Sequence, residues 1–140
     1  IRVIMKKLSI ICCLFVAMSI STSCIDDKMG GTEVKLITAD EMQSILDLED
    51  VQLVDVRSPK EFDEIRIANA QNIDFSSPTF EDDINKLDKK KPVILYCKGG
   101  FRSAKCAKKL KSAGFEKIYD LDGGISKWKH SEKIRIELKS

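Results

Sequence analysis

One histidine, three prolines, five cysteines and 6% aromatic residues in 140 leave several classes of protein without the residues they need. Five cysteines, three of them before residue 25, are too few to read as a small disulfide scaffold. Neither sign of charge dominates: 24 basic residues face 22 acidic ones, a net +2, so no global attraction to nucleic acid follows. The extended apolar run, "LSIICCLFVAMSI" at 8–20, has thirteen residues, too few to span a bilayer comfortably. There is no internal repeat and no low-complexity tract. With 43% hydrophobic and 33% charged residues, disorder and a multispanning membrane protein are both excluded, and the length suits one domain with its own core. The single histidine, His130, reads as a surface residue in or just beyond the last helix rather than as a general base.

What is present divides into two parts. Residues 5–24 place a basic "MKK", the apolar run and the small polar "STSC" in succession, the order of a secretory signal, with an uncleaved anchor as the alternative. Met5 is read as the initiator of that signal. The end of the segment resembles a bacterial lipoprotein signal, which implies that Cys24 becomes a lipidated residue holding the protein to a membrane surface of the cell envelope or periplasm. That family commonly has leucine where Ser21 stands. Residues 25–33, acidic and then Gly-Gly, read as a flexible tether. Residues 1–23 carry Arg2, Lys6 and Lys7 and no acids, so 24 basic against 22 acidic groups becomes 21 against 22 without them, a charge of about −1. Cys97 and Cys106 then remain as the free thiols.

From residue 34 to 138 short β-rich runs alternate with capped helical segments. "VKLI" at 34–37 reads as a strand, and Thr38 with Glu41 has the spacing of a capping box opening a helix to about Leu46. "VQLVDV" at 51–56 reads as a buried strand, followed by a second box from Ser58 to Glu61 with Pro59 at the first helical position. "AQNID" at 70–74 is a short strand and "PTFEDDINKL" at 78–87 a helix with acids in its first turn. "PVILYC" at 92–97 is the strongest strand. It leads through "KGGF" into a helix ended by Gly114. "KIYDL" is a further strand, and "DGGISKWK" a turn into a last helix bearing the core residue Trp128. This alternation predicts an α/β fold, an open, mainly parallel sheet flanked by helices, whose ligands bind at the carboxyl ends of the strands.

Cys97 stands at that end of the best strand. The thiolate is the reactive form of cysteine, and the amides of a glycine-rich turn, the start of the next helix, and the charges of Lys98 and Arg102 all favour it. Gly99 and Gly100 permit the backbone conformations that turn amides toward an anion. That anion is the thiolate, a persulfide on it, or an anionic substrate; the alternative is an ordinary half-buried thiol before a tight turn. Cys106, about 6 Å farther along the helix axis than Arg102, reads as a small core residue rather than a resolving partner. Lys105, Lys108, Lys109 and Lys111 read as a solvated face that adds a positive field.

The spacing of "LVDVR" (53–57), "EF" (61–62), "NAQNI" (69–73), "VILYCKGGFRSA" (93–104) and "L..AGF..I..L.GG...W" (110–128) resembles the rhodanese family along 34–138. The resemblance implies a sulfurtransferase in which Cys97 takes a sulfane sulfur from a donor such as thiosulfate and passes it, as a persulfide, to a thiol or cyanide-like acceptor. No metal and no organic cofactor is implied, because the chemistry is displacement at a thiolate. Lys98, Gly99, Gly100, Phe101, Arg102 and Ser103 would form the loop that holds the persulfide and the donor, with Lys98 and Arg102 on the anion. Asp55 and Arg57 match the family's Asp-x-Arg and are read as supporting residues that tie a strand end to neighbouring loops. Where the family commonly has Gly-His-Ile-Pro-Gly-Ala, this chain has "IRIANA" at 65–70, read as a reshaped loop near the site mouth. Two alternatives stand beside catalysis: a sulfur-relay or binding module with little small-molecule turnover, and a phosphatase or arsenate reductase. The last needs one more residue between cysteine and arginine than the C-x4-R found here, and one residue is up to about 3.3–3.6 Å of chain.

Overall fold

Two reciprocal caps set the first helices. In the computed structural model, which describes residues 31–139, the Glu41 amide donates to Thr38 Oγ1 at 3.3 Å while Glu41 Oε2 accepts from the Thr38 amide at 2.9 Å. This box opens helix α1 (Ala39–Leu48) directly after strand β1 (Val34–Ile37). The same device, with Pro59 in the first turn, opens α2 (Pro59–Glu64) after β2 (Gln52–Asp55). Then follow β3 (Ile65–Ile67), β4 (Gln71–Asn72), α3 (Phe80–Ile84), β5 (Val93–Tyr96), α4 (Phe101–Ser112), β6 (Ile118–Leu121), α5 (Gly124–Trp128) and β7 (Ile136–Leu138). The signal segment, Cys24 and the tether up to residue 30 lie outside the described residues.

Five strands form one parallel sheet in the order β1-β6-β5-β2-β4. The expected α/β architecture is therefore present, and β5, with all four residues buried, runs through its centre. Side chains alternate across the sheet. Val93, Leu95 and Cys97 pack on one face with Phe80, Cys106, Leu110 and Phe115. Ile94 and Tyr96 pack on the other with Ile37, Met42, Leu121 and Ile125. Two covered faces explain why β5 reads as a continuous apolar run.

The sequence reading of "IRIANA" as a loop is corrected at its first half. Ile65–Ile67 is a strand, paired antiparallel with Ile136–Leu138. Arg66 faces Glu137 in that register, and their side chains form a 3.0 Å ion pair. Three-residue strands have almost no local signal, and this one exists because its partner returns 71 residues later. Asn69 then turns the chain with φ 64°, a conformation asparagine tolerates better than most residues. Trp128 is half-buried, its indole N–H donating to the Asp122 carbonyl at 2.7 Å.

Candidate active site

β5 ends at Tyr96 and delivers Cys97 to a turn that closes at the first residues of α4. Gly100 has φ 98°, the left-handed conformation that lets its amide point back at the sulfur; that N–H donates to Cys97 Sγ at 3.1 Å. The Ser103 hydroxyl, one turn into α4 and fully buried, reaches Sγ at 3.5 Å and the Gly100 carbonyl at 3.2 Å. Cys97 itself is 1% exposed. Burial alone would raise its pKa. The Ser103 hydroxyl and the amides of Ser103, Gly100 and Gly99 outweigh that, and the thiol lies below its ordinary value.

The loop's amides are free to face inward because its carbonyls are held from behind. The Ile125 amide donates to the Cys97 carbonyl at 2.9 Å and the Ser126 amide to the Lys98 carbonyl at 3.0 Å. This contact needs Gly124. It has φ 59°, and a Cβ placed on it would lie 2.5 Å from the Cys97 oxygen and 2.6 Å from the Lys98 oxygen.

Arg102 is engaged by a carboxylate. Both terminal nitrogens bind the Glu61 carboxylate, Nη1 to Oε2 at 2.7 Å and Nη2 to Oε1 at 2.8 Å. Arg102, expected on the anionic donor, here has its two terminal nitrogens on a carboxylate. Glu61 also caps α2 through Ser58, and Arg102 first, then Ser58, hold its carboxyl down at about 2 against burial. Lys98 and Gly99 are exposed at the rim. Phe101 is 73% exposed, with Lys105 Nζ 4.3 Å from its ring centre.

Asp55 and Arg57 are 0% and 3% exposed and form a bidentate pair, Nε to Oδ1 at 2.9 Å and Nη2 to Oδ2 at 2.6 Å. Arg57 Nη2 also donates to the Ile65 carbonyl at 2.5 Å, and Asn72 Nδ2 donates to the carbonyls of Asp55 and Arg57. The pair thus ties β2 to β3 and β4. Arg57 further lines a cavity of about 140 Å³ beside the loop, together with Glu61, Lys98 and Lys129. The Tyr96 hydroxyl accepts from the Ile67 amide at 3.1 Å, anchoring the same corner to β5. Cys106 is 1% exposed in the same core cluster as Cys97, and burial, with the Asp120 charge, pushes its thiol up to about 12. His130 and the lysines at 105, 108, 109 and 111 are exposed; Lys109 pairs with Glu81.

The model of the Rhodanese-like domain family matches residues 38–131, a stretch that includes the strand end at Cys97, its loop and the Gly-Gly turn behind it. The chain belongs to that family. It is similar to thiosulfate sulfurtransferase GlpE of Coxiella burnetii, 38% identical over 80 residues, covering 57% of this chain and 73% of that protein. It is also similar to the probable adenylyltransferase/sulfurtransferase MoeZ of Mycobacterium tuberculosis, 36% identical over 104 residues, 74% of this chain but 26% of that protein. To YqhL of Bacillus subtilis it is 42% identical over 77 residues, 55% of this chain and 60% of that one. The chain therefore spans less than two thirds of two of these relatives, 60% of YqhL and 26% of MoeZ. Among solved structures, a rhodanese-like domain protein from Staphylococcus aureus superposes with a TM-score of 0.63 at 34% identity, over 76% of this chain and 99% of that one. A rhodanese-related protein from Thermoplasma volcanium gives 0.62 at 28%, over 70% and 93%.

Sequence reasoning on this rhodanese domain missed three residues. Glu61 appeared only as a cap, because Arg102 lies 41 residues away. Gly124 was part of a signature without a physical role. Asp120, inside "KIYDL", carried one usable signal: a charged residue in an otherwise apolar strand.

Proposed function

We propose that this chain is a sulfurtransferase that carries a sulfane sulfur as a persulfide on Cys97. The observation that carries the reading is the sulfur environment, in which a buried thiol receives the Gly100 amide and the Ser103 hydroxyl and lies below its ordinary pKa. The Cys97 thiolate attacks the outer sulfur of a donor such as thiosulfate. A new S–S bond forms, the donor's S–S bond breaks, and sulfite leaves with the electron pair. A thiol or cyanide acceptor then attacks the outer sulfur and Cys97 leaves as the thiolate, stabilised by the same donors. Lys98 and Lys129 supply positive charge at the cavity beside the loop. The similarity to thiosulfate sulfurtransferase GlpE supports thiosulfate as the donor.

The engagement of Arg102 by Glu61 favours a second reading, in which a protein persulfide rather than a small anion loads Cys97 and the domain acts as a relay. One experiment addresses both. The chain is incubated with thiosulfate and its intact mass recorded, beside Cys97→Ser, before and after cyanide. A gain of one sulfur that requires Cys97 and is discharged by cyanide is expected. No gain with thiosulfate, but a gain from a protein persulfide, would replace the first reading by the relay. Residues 5–24 support a lipid anchor on Cys24 at the cell envelope; Cys24→Ala is then expected to move the protein from the membrane fraction to the soluble one, and unchanged fractionation would remove the anchor from the account.

A further inference from the structure

Helix α4 carries Arg102, Lys105, Lys108, Lys109 and Lys111 and no acidic residue. Two of these charges are taken, Arg102 by Glu61 and Lys109 by Glu81. Lys105, Lys108 and Lys111 are exposed and have no carboxylate partner among the described residues. Phe101 and these three lysines follow at intervals of four, three and three, so they share one outward face, while Ser103, Cys106, Ala107 and Leu110 occupy the buried one. Phe101 stands exposed at one end of that face. At the other end, about 15 Å along the helix, the chain enters the domain. A Cβ on Gly31 would lie 3.8 Å from both Cε and Nζ of Lys111, and Thr32 Oγ1 donates to the Phe115 carbonyl, just past the helix, at 2.5 Å.

A cationic face with an aromatic ring at its end and no acid of its own complements an anionic surface. The point of entry selects lipid among such surfaces. Cys24 precedes Gly31 by seven residues, at most about 25 Å of chain however that chain runs. With residues 5–24 held at a membrane, by a lipid or as an uncleaved anchor, the Lys111 end of α4 stays within about three screening lengths of the headgroups. We propose that the outer face of α4 docks on an anionic lipid surface, with Lys105, Lys108 and Lys111 donating to phosphate oxygens and Phe101 entering the headgroup boundary. Phe101 also belongs to the Cys97 loop, so docking sets the mouth of the site at the lipid surface and favours sulfur carriers held at that surface. The cavity beside the loop has no lining residue from α4, so the docked face does not use it. Nearness to lipid rests on the anchor reading of residues 5–24; the charge and exposure of the face do not.

The full chain is added to vesicles of phosphatidylcholine, or of phosphatidylcholine and phosphatidylglycerol in equal parts, and its lysines are acetylated briefly with a water-soluble ester and read by peptide mass. Both vesicles can hold the chain through its N-terminal segment, and only the second offers the α4 face a partner. Lys105, Lys108 and Lys111 are expected to react roughly three to ten times more slowly on the anionic vesicles, since each lysine at such a surface favours the docked state about fivefold. Lys35 and Lys133, paired with Glu41 and Asp40 of α1 on the other side of the sheet, should react alike on both. Salt near 1 M, with a screening length of about 3 Å, should remove the difference. Lys108→Gln with Lys111→Gln, both at exposed positions, should return Lys105 to its rate on neutral vesicles. Equal reaction on both vesicles, by a chain that sediments with both, would overturn the docking. So would equal protection of Lys133, or protection as strong by a short RNA without vesicles, which would give the face to nucleic acid. A chain that sediments with the anionic vesicles alone, its α4 lysines protected there, would strike the anchor and keep the face; a chain that sediments with neither would overturn both.

Discussion

Replacing Gly124 by alanine tests the claim that α5 holds the active loop open from behind. The added Cβ would sit 2.5 Å from the Cys97 oxygen, 2.6 Å from the Lys98 oxygen and 2.7 Å from the Lys98 carbonyl carbon, where nonbonded carbon contacts normally begin near 3.5 Å. None of these atoms is a flexible side-chain end, so the loop and helix must separate by on the order of 1 Å. That separation breaks the 2.9 and 3.0 Å bonds from Ile125 and Ser126. Two such bonds at ~1 kcal/mol each, with ~1–2 kcal/mol for alanine in the left-handed region, give a loss of about 3–4 kcal/mol. Against a usual stability of ~5–15 kcal/mol the protein should remain folded in the cold. Urea unfolding would measure the loss, and the pH dependence of Cys97 alkylation should move toward an ordinary thiol near ~8.5 as the amides lose aim. Gly99→Ala is the control for stability, because nothing lies within 4 Å of its Cβ position; it should change by less than ~1 kcal/mol. Equal stability of Gly124→Ala and wild type, with unchanged alkylation, would refute the buttress.

Glu61→Gln releases Arg102 and weakens the cap on α2 together. Because the folded carboxyl lies at about 2 instead of 4.5, its contribution is complete above the unfolded value and disappears as pH falls from about 4.5 toward 2. At this partly exposed pair we expect ~1–2 kcal/mol lost at neutral pH, a flatter acid-unfolding curve, and faster loading by thiosulfate than by a neutral donor; equal loading would mean that Arg102 only shapes the loop. Arg57→Ala leaves the buried Asp55 carboxyl without its guanidinium partner, and thermal or urea unfolding should show a loss of ~3–5 kcal/mol; a loss under ~1 kcal/mol would show that the pair is dispensable.

The legible parts of this protein were those written within a few residues. Thr38 with Glu41, and Ser58 with Glu61, announce helices because cap donor and acceptor are three residues apart. Cys97 was legible because strand, glycines and arginine follow one another. What escaped depends on residues brought together by the fold. The β3–β7 ribbon joins segments that are individually too short to declare themselves. Glu61 satisfies a local rule so well that its second partner leaves no trace in the spacing. The aim of Arg102 followed from that same omission, and Asp120, a charge in an apolar strand, gains its meaning from the burial of that strand.

Cys106 bears on how such a site survives oxidants. A nucleophilic cysteine with a lowered pKa, as Cys97 has, is a target of peroxide, and its sulfenic acid is rescued when a second thiolate condenses with it. Cys106 cannot serve: sunk against Ala107 and Leu110, with its thiol pushed up to about 12, it stays protonated and unreactive. Repair of an oxidised Cys97 must therefore rely on a reductant that comes to the loop, so the reducing power of the surroundings would set how long the site stays competent.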